Sequence, residues 1–127
     1  MQLNFQMVDD ILIASITGEL DHYGAATTRE EIDKTIDIFC SKHLVLDFKN
    51  VSFMDSSGIG VVMGRYNKVK ARDGKIYITG CSAYVKKILE MAGIFTIADL
   101  SESANDAICS IQGRMPEQMT MEVIMNG

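Results

Sequence analysis

The side chains best suited to chemistry in this chain sit together in one stretch, Phe53-Met54-Asp55-Ser56-Ser57-Gly58-Ile59-Gly60. Two hydroxyls beside a carboxylate, followed by small residues, suit nucleophilic catalysis, anion binding or covalent modification. Each of these has a pattern to meet. Gly58-Ile59-Gly60 with Gly64 suggests a dinucleotide fingerprint, but the spacing departs from it and the first glycine falls inside the following helix. There is no Gly-x-x-x-x-Gly-Lys-Ser/Thr phosphate loop, and Ser57 is not in a G-x-S-x-G elbow. The two histidines, His22 and His43, read as exposed loop or strand-end residues, and no group of His, Cys and carboxylates has metal-ligand spacing. No catalytic set, metal site or cofactor site emerges, so the chain reads as a non-enzyme.

Asp55 is a favourable helix N-cap, which places Ser56 and Ser57 in the first helical turn. Capping alone accounts for all three residues, and the pattern does not separate a cap from a modified serine. Three glycines, Gly58, Gly60 and Gly64, bear on the choice. Each costs a helix roughly 1 kcal/mol relative to alanine. A helix that keeps them is expected to need close approach by another backbone or by a partner.

These residues need a scaffold, and the chain supplies an ordinary globular one. Its 127 residues suit one domain; 47% are hydrophobic and 23% charged, away from the disordered range. The net charge of -5 argues against nucleic acid, whose binders carry the opposite sign. No apolar run approaches the ~20 residues that span a bilayer, and the start lacks a basic signal-peptide region, so a cytoplasmic protein without a membrane partner is expected. Cys40, Cys81 and Cys109 are far apart and set among apolar neighbours, which predicts buried thiols.

Periodicity orders the elements. Leu3 to Met7 and Ile11 to Ile16 read as strands of a hairpin, and residues 18–24 as a loop. Ala25 to about Cys40 reads as a helix with Ile32, Ile36 and Phe39 on one face. Leu44 to Phe48 is a short strand, followed by a loop through Asp55. Gly58 to about Arg72 is helical, with Ile59, Val62, Met63, Tyr66 and Val69 on one side. Ile76 to Thr79 is a strand, Ser82 caps a helix carrying Val85, Ile88, Leu89 and Ala92, and Ile94 to Ile97 is extended. Ser101 or Ser103 opens a last helix with Ala104, Ala107, Ile108 and Ile111 inward, ended by Gly113. The order predicts an α/β fold: a mixed, mainly parallel sheet with an N-terminal antiparallel hairpin and about four helices. The domain is expected to span 1–113. Residues 114–127 form an apolar tail of open role, with Pro116 set against any helix there.

Residues Phe53 to Tyr66 resemble the central motif of bacterial anti-sigma factor antagonists of the STAS-domain family. Gly18-Glu19-Leu20-Asp21-His22 resembles that family's second motif, and Met91-Ala92-Gly93-Ile94-Phe95 its usual end of the third helix. The match covers about Leu3 to Gln112 and is closest to sporulation-type antagonists of the sigma-F pathway. The resemblance implies a STAS-type domain that binds an anti-sigma factor with serine kinase activity and so releases the sigma factor. It implies ATP-dependent phosphorylation of the second serine of Asp-Ser-Ser-Gly, here Ser57, as the off switch, and a serine phosphatase as the reset. It places the partner surface at Asp21, Asp55, Ser56, Ser57, Gly58 and Gly60, with Asp21 near the modified serine. Where many members begin the third helix Ser-Pro, this chain has Ser82-Ala83. The rival expectations are a STAS scaffold or transport-accessory module without a phosphorylation cycle, an anion binder at the glycine-rich helix start, and a Ser57 hydrolase.

Overall fold

The computed structural model describes residues 1–113. The proposed tail, 114–127, lies outside the described residues. Strands β1 (Gln2–Val8) and β2 (Ile11–Leu20) form the antiparallel hairpin. Then come α1 (His22–Phe39), β3 (His43–Met54), α2 (Ser56–Lys70), β4 (Ile76–Thr79), α3 (Ala83–Met91), a 3-10 turn (Ile94–Thr96), β5 (Asp99–Ser101) and α4 (Ala104–Gln112). The sheet order is β1-β2-β3-β4-β5, with β2 through β5 parallel. This is the α/β architecture that the element order predicts.

The three central strands bury both faces, so they carry continuous apolar runs rather than strict alternation. Along β2, Leu12, Ala14 and Ile16 point to one side with Leu44, Leu46 and Phe48 of β3 and Ile76 and Ile78 of β4. Helices α1, α2 and α3 cover that side through Ile32, Ile36, Val61, Val62, Val69, Val85 and Leu89. On the other side Ile11, Ile13, Val45 and Tyr77 meet Ala107 and Ile108 of α4. Three helices therefore line one face and one helix the other.

Several boundaries differ from the sequence expectation, and each has a local cause. Strand β2 continues through Gly18 to Leu20, because β3 offers it paired partners across two register irregularities and Gly18 takes φ +119°. Strand β3 likewise runs on to Met54 where a loop is expected. Helix α1 begins at His22, three residues early, because Asp21 caps it. Ile94–Thr96 is a 3-10 turn, not an extended piece, and β5 is an unexpected strand held by pairing with Tyr77, Ile78 and Thr79. Ser82 and Ser103 are the caps of α3 and α4.

Three helix faces also differ. On α1, Thr28 and Thr35 join Ile32 and Ile36 in the interior by donating to the carbonyls of Gly24 and Glu31, and Phe39 turns outward. On α2, Val61 and Arg65 bury while Met63 is exposed. On α3, Ala92 is exposed rather than inward. Cys40 is exposed rather than buried: it ends α1 in the left-handed conformation, φ 51°. Cys81 is half-buried and Cys109 buried.

His43 is more enclosed than a strand-end residue. Its Nδ1 accepts from the Lys75 amide at 2.9 Å, and Nε2 lies 3.8 Å from Asp10 Oδ2. Burial holds its pKa below 6.5, with Asp10 pulling the other way. A lowered histidine pKa means that the unfolded chain takes up the proton first. Stability is therefore expected to be complete above about pH 6.5 and to fall as the pH drops below it. Urea titrations between about pH 7 and 5 should show this slope and its flattening in His43→Gln. The Gly74 position is tighter still: a Cβ there would overlap the Lys42 carbonyl oxygen. Gly74→Ala is expected to cost about 1–3 kcal/mol in the same titrations.

Candidate functional site

The site is assembled by strand pairing. In the parallel β2–β3 ladder Leu20 stands opposite Met54, and the Asp55 amide donates to the Leu20 carbonyl at 3.4 Å. Asp21 and Asp55 are thus the next residues on two adjacent strands, and both turn directly into helices. Each caps its helix with its side chain. Asp21 Oδ1 accepts from the amides of Tyr23 at 3.1 Å and Gly24 at 2.9 Å. Asp55 Oδ1 accepts from the Ser57 amide at 2.8 Å. Fully buried Leu20 and Met54 anchor the two strand ends beneath them.

Ser56 is exposed and Ser57 half-buried in the first turn of α2. Exposure alone favours Ser56, whereas the expectation for Ser57 rests on its place in the motif. Gly58 is buried because α2 sits directly on the strand ends: a Cβ there would come within 2.6 Å of Met54 Cγ and 3.3 Å of Leu20 Cβ. Gly60 and Gly64 are different, since nothing within 4 Å would crowd a Cβ at either. The chain's own packing explains the first glycine and not the other two.

The surroundings are acidic and aromatic. A cleft of about 470 Å³ beside Asp21 is lined by Met1, Gly18, Glu19, Tyr23, Gly24 and Thr27 as well. Tyr23 at the α1 start is 83% exposed, and Phe53 just before Asp55 is partly exposed. Tyr84 of α3 donates its hydroxyl to the Met54 carbonyl at 3.4 Å and leaves half its surface open. Sequence reasoning placed Phe53 in the motif without a role of its own and gave none to Tyr23 or Tyr84. Tyr23 and Phe53 flank the two capping aspartates and were findable by that adjacency. Nothing local ties Tyr84 to the site, since α3 reaches it only through tertiary packing.

The two capped helices are tied again farther along. Arg65 of α2, with only 8% of its side chain exposed, lies 2.7 Å from Asp33 of α1 through Nε, a charge contact that misses hydrogen-bond alignment. Burial lowers the Arg65 pKa and Asp33 opposes it. Nearer the helix ends, Asp37 meets Lys68 and Arg72, each at 2.9 Å. The Lys68 hydrogen bond, chiefly, holds its carboxyl below the ordinary range. Among the described residues no group of three or more His, Cys, Asp and Glu could hold a metal ion, and no helix is long and apolar enough to cross a membrane.

Known proteins share this fold. The STAS domain family model matches residues 2–107. The anti-sigma F factor antagonist of Paenibacillus polymyxa is 31% identical over 112 residues, covering 88% of this chain and 96% of that protein. The solved structure of the anti-sigma factor antagonist SpoIIAA in its unphosphorylated form superposes with a TM-score of 0.78 at 27% identity, over 90% of this chain and 99% of that one. The phosphorylated form of the Bacillus cell fate determinant SpoIIAA gives 0.68 at 26% identity, over 87% and 99%.

The caps are the part of the site whose worth can be measured directly. Asp21→Ala and Asp55→Ala should each lower the unfolding free energy by about 0.5–2 kcal/mol, and the Asn variants by much less, because Asn caps nearly as well. Denaturant titration of the four proteins checks both statements.

Proposed function

This chain belongs to the STAS-domain family, and within it we propose an anti-sigma factor antagonist switched by phosphorylation of Ser57. The unphosphorylated protein binds an anti-sigma factor that is also a serine kinase, and this frees the sigma factor. ATP-dependent phosphorylation of Ser57 ends the complex, and a serine phosphatase restores it. The setting is the cytoplasm, the regulated process is transcription in sporulation, and the chain itself catalyses nothing.

The observation that carries this reading is the placement of Asp21 beside the Asp55-Ser56-Ser57 turn on adjacent strand ends. It makes one continuous surface of two sequence motifs. Exposed Gly60 extends that surface along α2 without a side chain to hold a partner off. A relative with a 26% identical sequence exists in a phosphorylated form.

The electrostatics suit a switch that changes binding and spares the fold. A phosphoserine carries about -1.5 to -2 charges and three strong acceptor oxygens. At a helix N-terminus this charge is stabilised by roughly 0.3–1 kcal/mol. At an interface the same group sits close to Asp55 and must lose its water. Burying an unpaired charge costs several kcal/mol, and each 1.4 kcal/mol is tenfold in affinity.

Incubation with the cognate kinase and ATP, followed by mass spectrometry, should place one phosphate on Ser57. A phosphate on Ser56, or none, would sink the assignment, and the second result would favour a STAS scaffold instead. Ser57→Ala should bind the kinase and escape inactivation, whereas Ser57→Asp should bind at least tenfold more weakly. Equal affinities in calorimetry would remove the electrostatic account.

A further inference from the structure

The two edges of the sheet are built in opposite ways. Strand β5 is three residues long, begins with Asp99 and runs directly into Glu102. A short, charged edge of this kind resists pairing with another chain. Strand β1 has seven residues, Gln2–Val8, with no charge and no proline. It pairs with β2 in unbroken register from Gln2–Thr17 to Val8–Ile11, so no bulge bends it away. Among the described residues its only neighbour in the sheet is β2. The N–H and C=O groups that point away from β2 thus form a straight, neutral template.

The side chains on this edge are complementary to their own copy. Leu3, Phe5 and Met7 lean over the helical face of the sheet and stay half-buried, packed against the core on one side only. Asn4 and Gln6 are exposed on the opposite face. Setting β1 antiparallel to a second β1, with Phe5 opposite Phe5, aligns all seven residues. Leu3 then faces Met7 and Asn4 faces Gln6, so apolar meets apolar and amide meets amide over the central five residues, with Gln2 opposite Val8 at the two ends. Every pair keeps to its own face, as the two-residue period of a strand requires. The arrangement is a closed two-fold that leaves no further free β1 edge.

We propose that this chain forms a homodimer through antiparallel β1–β1 pairing, giving one continuous sheet across two molecules. The partner is a second copy because the edge is self-complementary and uncharged. The two-fold points the two Ser57 ends in opposite directions, so both sites stay open. The inference stands apart from the phosphorylation reading and would survive its failure.

Sedimentation velocity on the full chain, across about two decades of micromolar concentration, should show the mass rising from one chain to two. Asn4→Lys with Gln6→Lys sets like charges opposite each other across the two-fold, and should stay monomeric with an unchanged circular dichroism spectrum. Asn4→Glu with Gln6→Glu should do the same, and mixing the two variants should restore a dimer. Hydrogen exchange at the β1 amides of the unsubstituted protein should slow as concentration rises. A monomer throughout the range overturns the proposal, as does a dimer that the lysine pair leaves intact or that leaves β1 exchange unchanged.

Discussion

Everything at the site depends on β2 and β3 staying paired to their ends. The ladder survives two register irregularities and a glycine at positive φ before it reaches Leu20 opposite Met54. That one pairing sets Asp21 and Asp55 side by side, starts two helices from neighbouring strands, and brings Gly58 down onto Met54 and Leu20. Had either strand ended where its apolar run ends, the two motifs would lie on separate loops with no common surface. Backbone pairing, anchored by buried Leu20, Val51 and Met54, thus holds the geometry of this corner.

The helices that grow from this corner are fastened by charge as well as by apolar packing. Burying Arg65 in the α1–α2 seam is costly for a lone cation, and Asp33 at 2.7 Å offsets the cost. Such a pair adds little net stability over a well-packed apolar contact, but breaking it leaves an uncompensated charge. It therefore penalises any sliding of α1 against α2. The serine turn thereby gains a rigid base. The glycines of α2 divide along the same line: Gly58 serves the fold, while Gly60 and Gly64 weaken the helix with no return among the described residues.

The sheet is finished differently at its ends and edges. The carboxyl ends of β2 and β3 carry acids, hydroxyls and exposed aromatics, whose polar and flat surfaces suit a partner that comes and goes. The β1 edge offers mainly backbone and a neutral stripe, which suits a like strand. The β5 edge is short and acidic and suits neither. The proposed association and the proposed switch thus fall on separate parts of one small fold.

Much of this was legible in the residues. Apolar runs at Ile11, Leu44 and Ile76 marked the central strands, and the change to helical periodicity marked the helices, because burial on one or two faces writes itself into local pattern. Asp55 and Ser82 announced helix starts through capping chemistry that acts within three residues, and of the two candidates Ser101 and Ser103 the structure uses Ser103. The resemblance of two motifs pointed to the family, which the comparisons bear out. What local pattern did not carry was set by distant neighbours. The far ends of β2 and β3 and the whole of β5 are strands because of their partners, not their composition. Phe39 and Met63 face outward because threonines that satisfy their own hydroxyls, and an arginine with a carboxylate across the seam, took the interior places. Sequence by itself determined the α/β class, the cap at Asp55 and the serine turn. The resemblance implied that Asp21 lies near that turn, but only the tertiary structure supplied the pairing that puts it there, because strand register is decided between segments more than thirty residues apart.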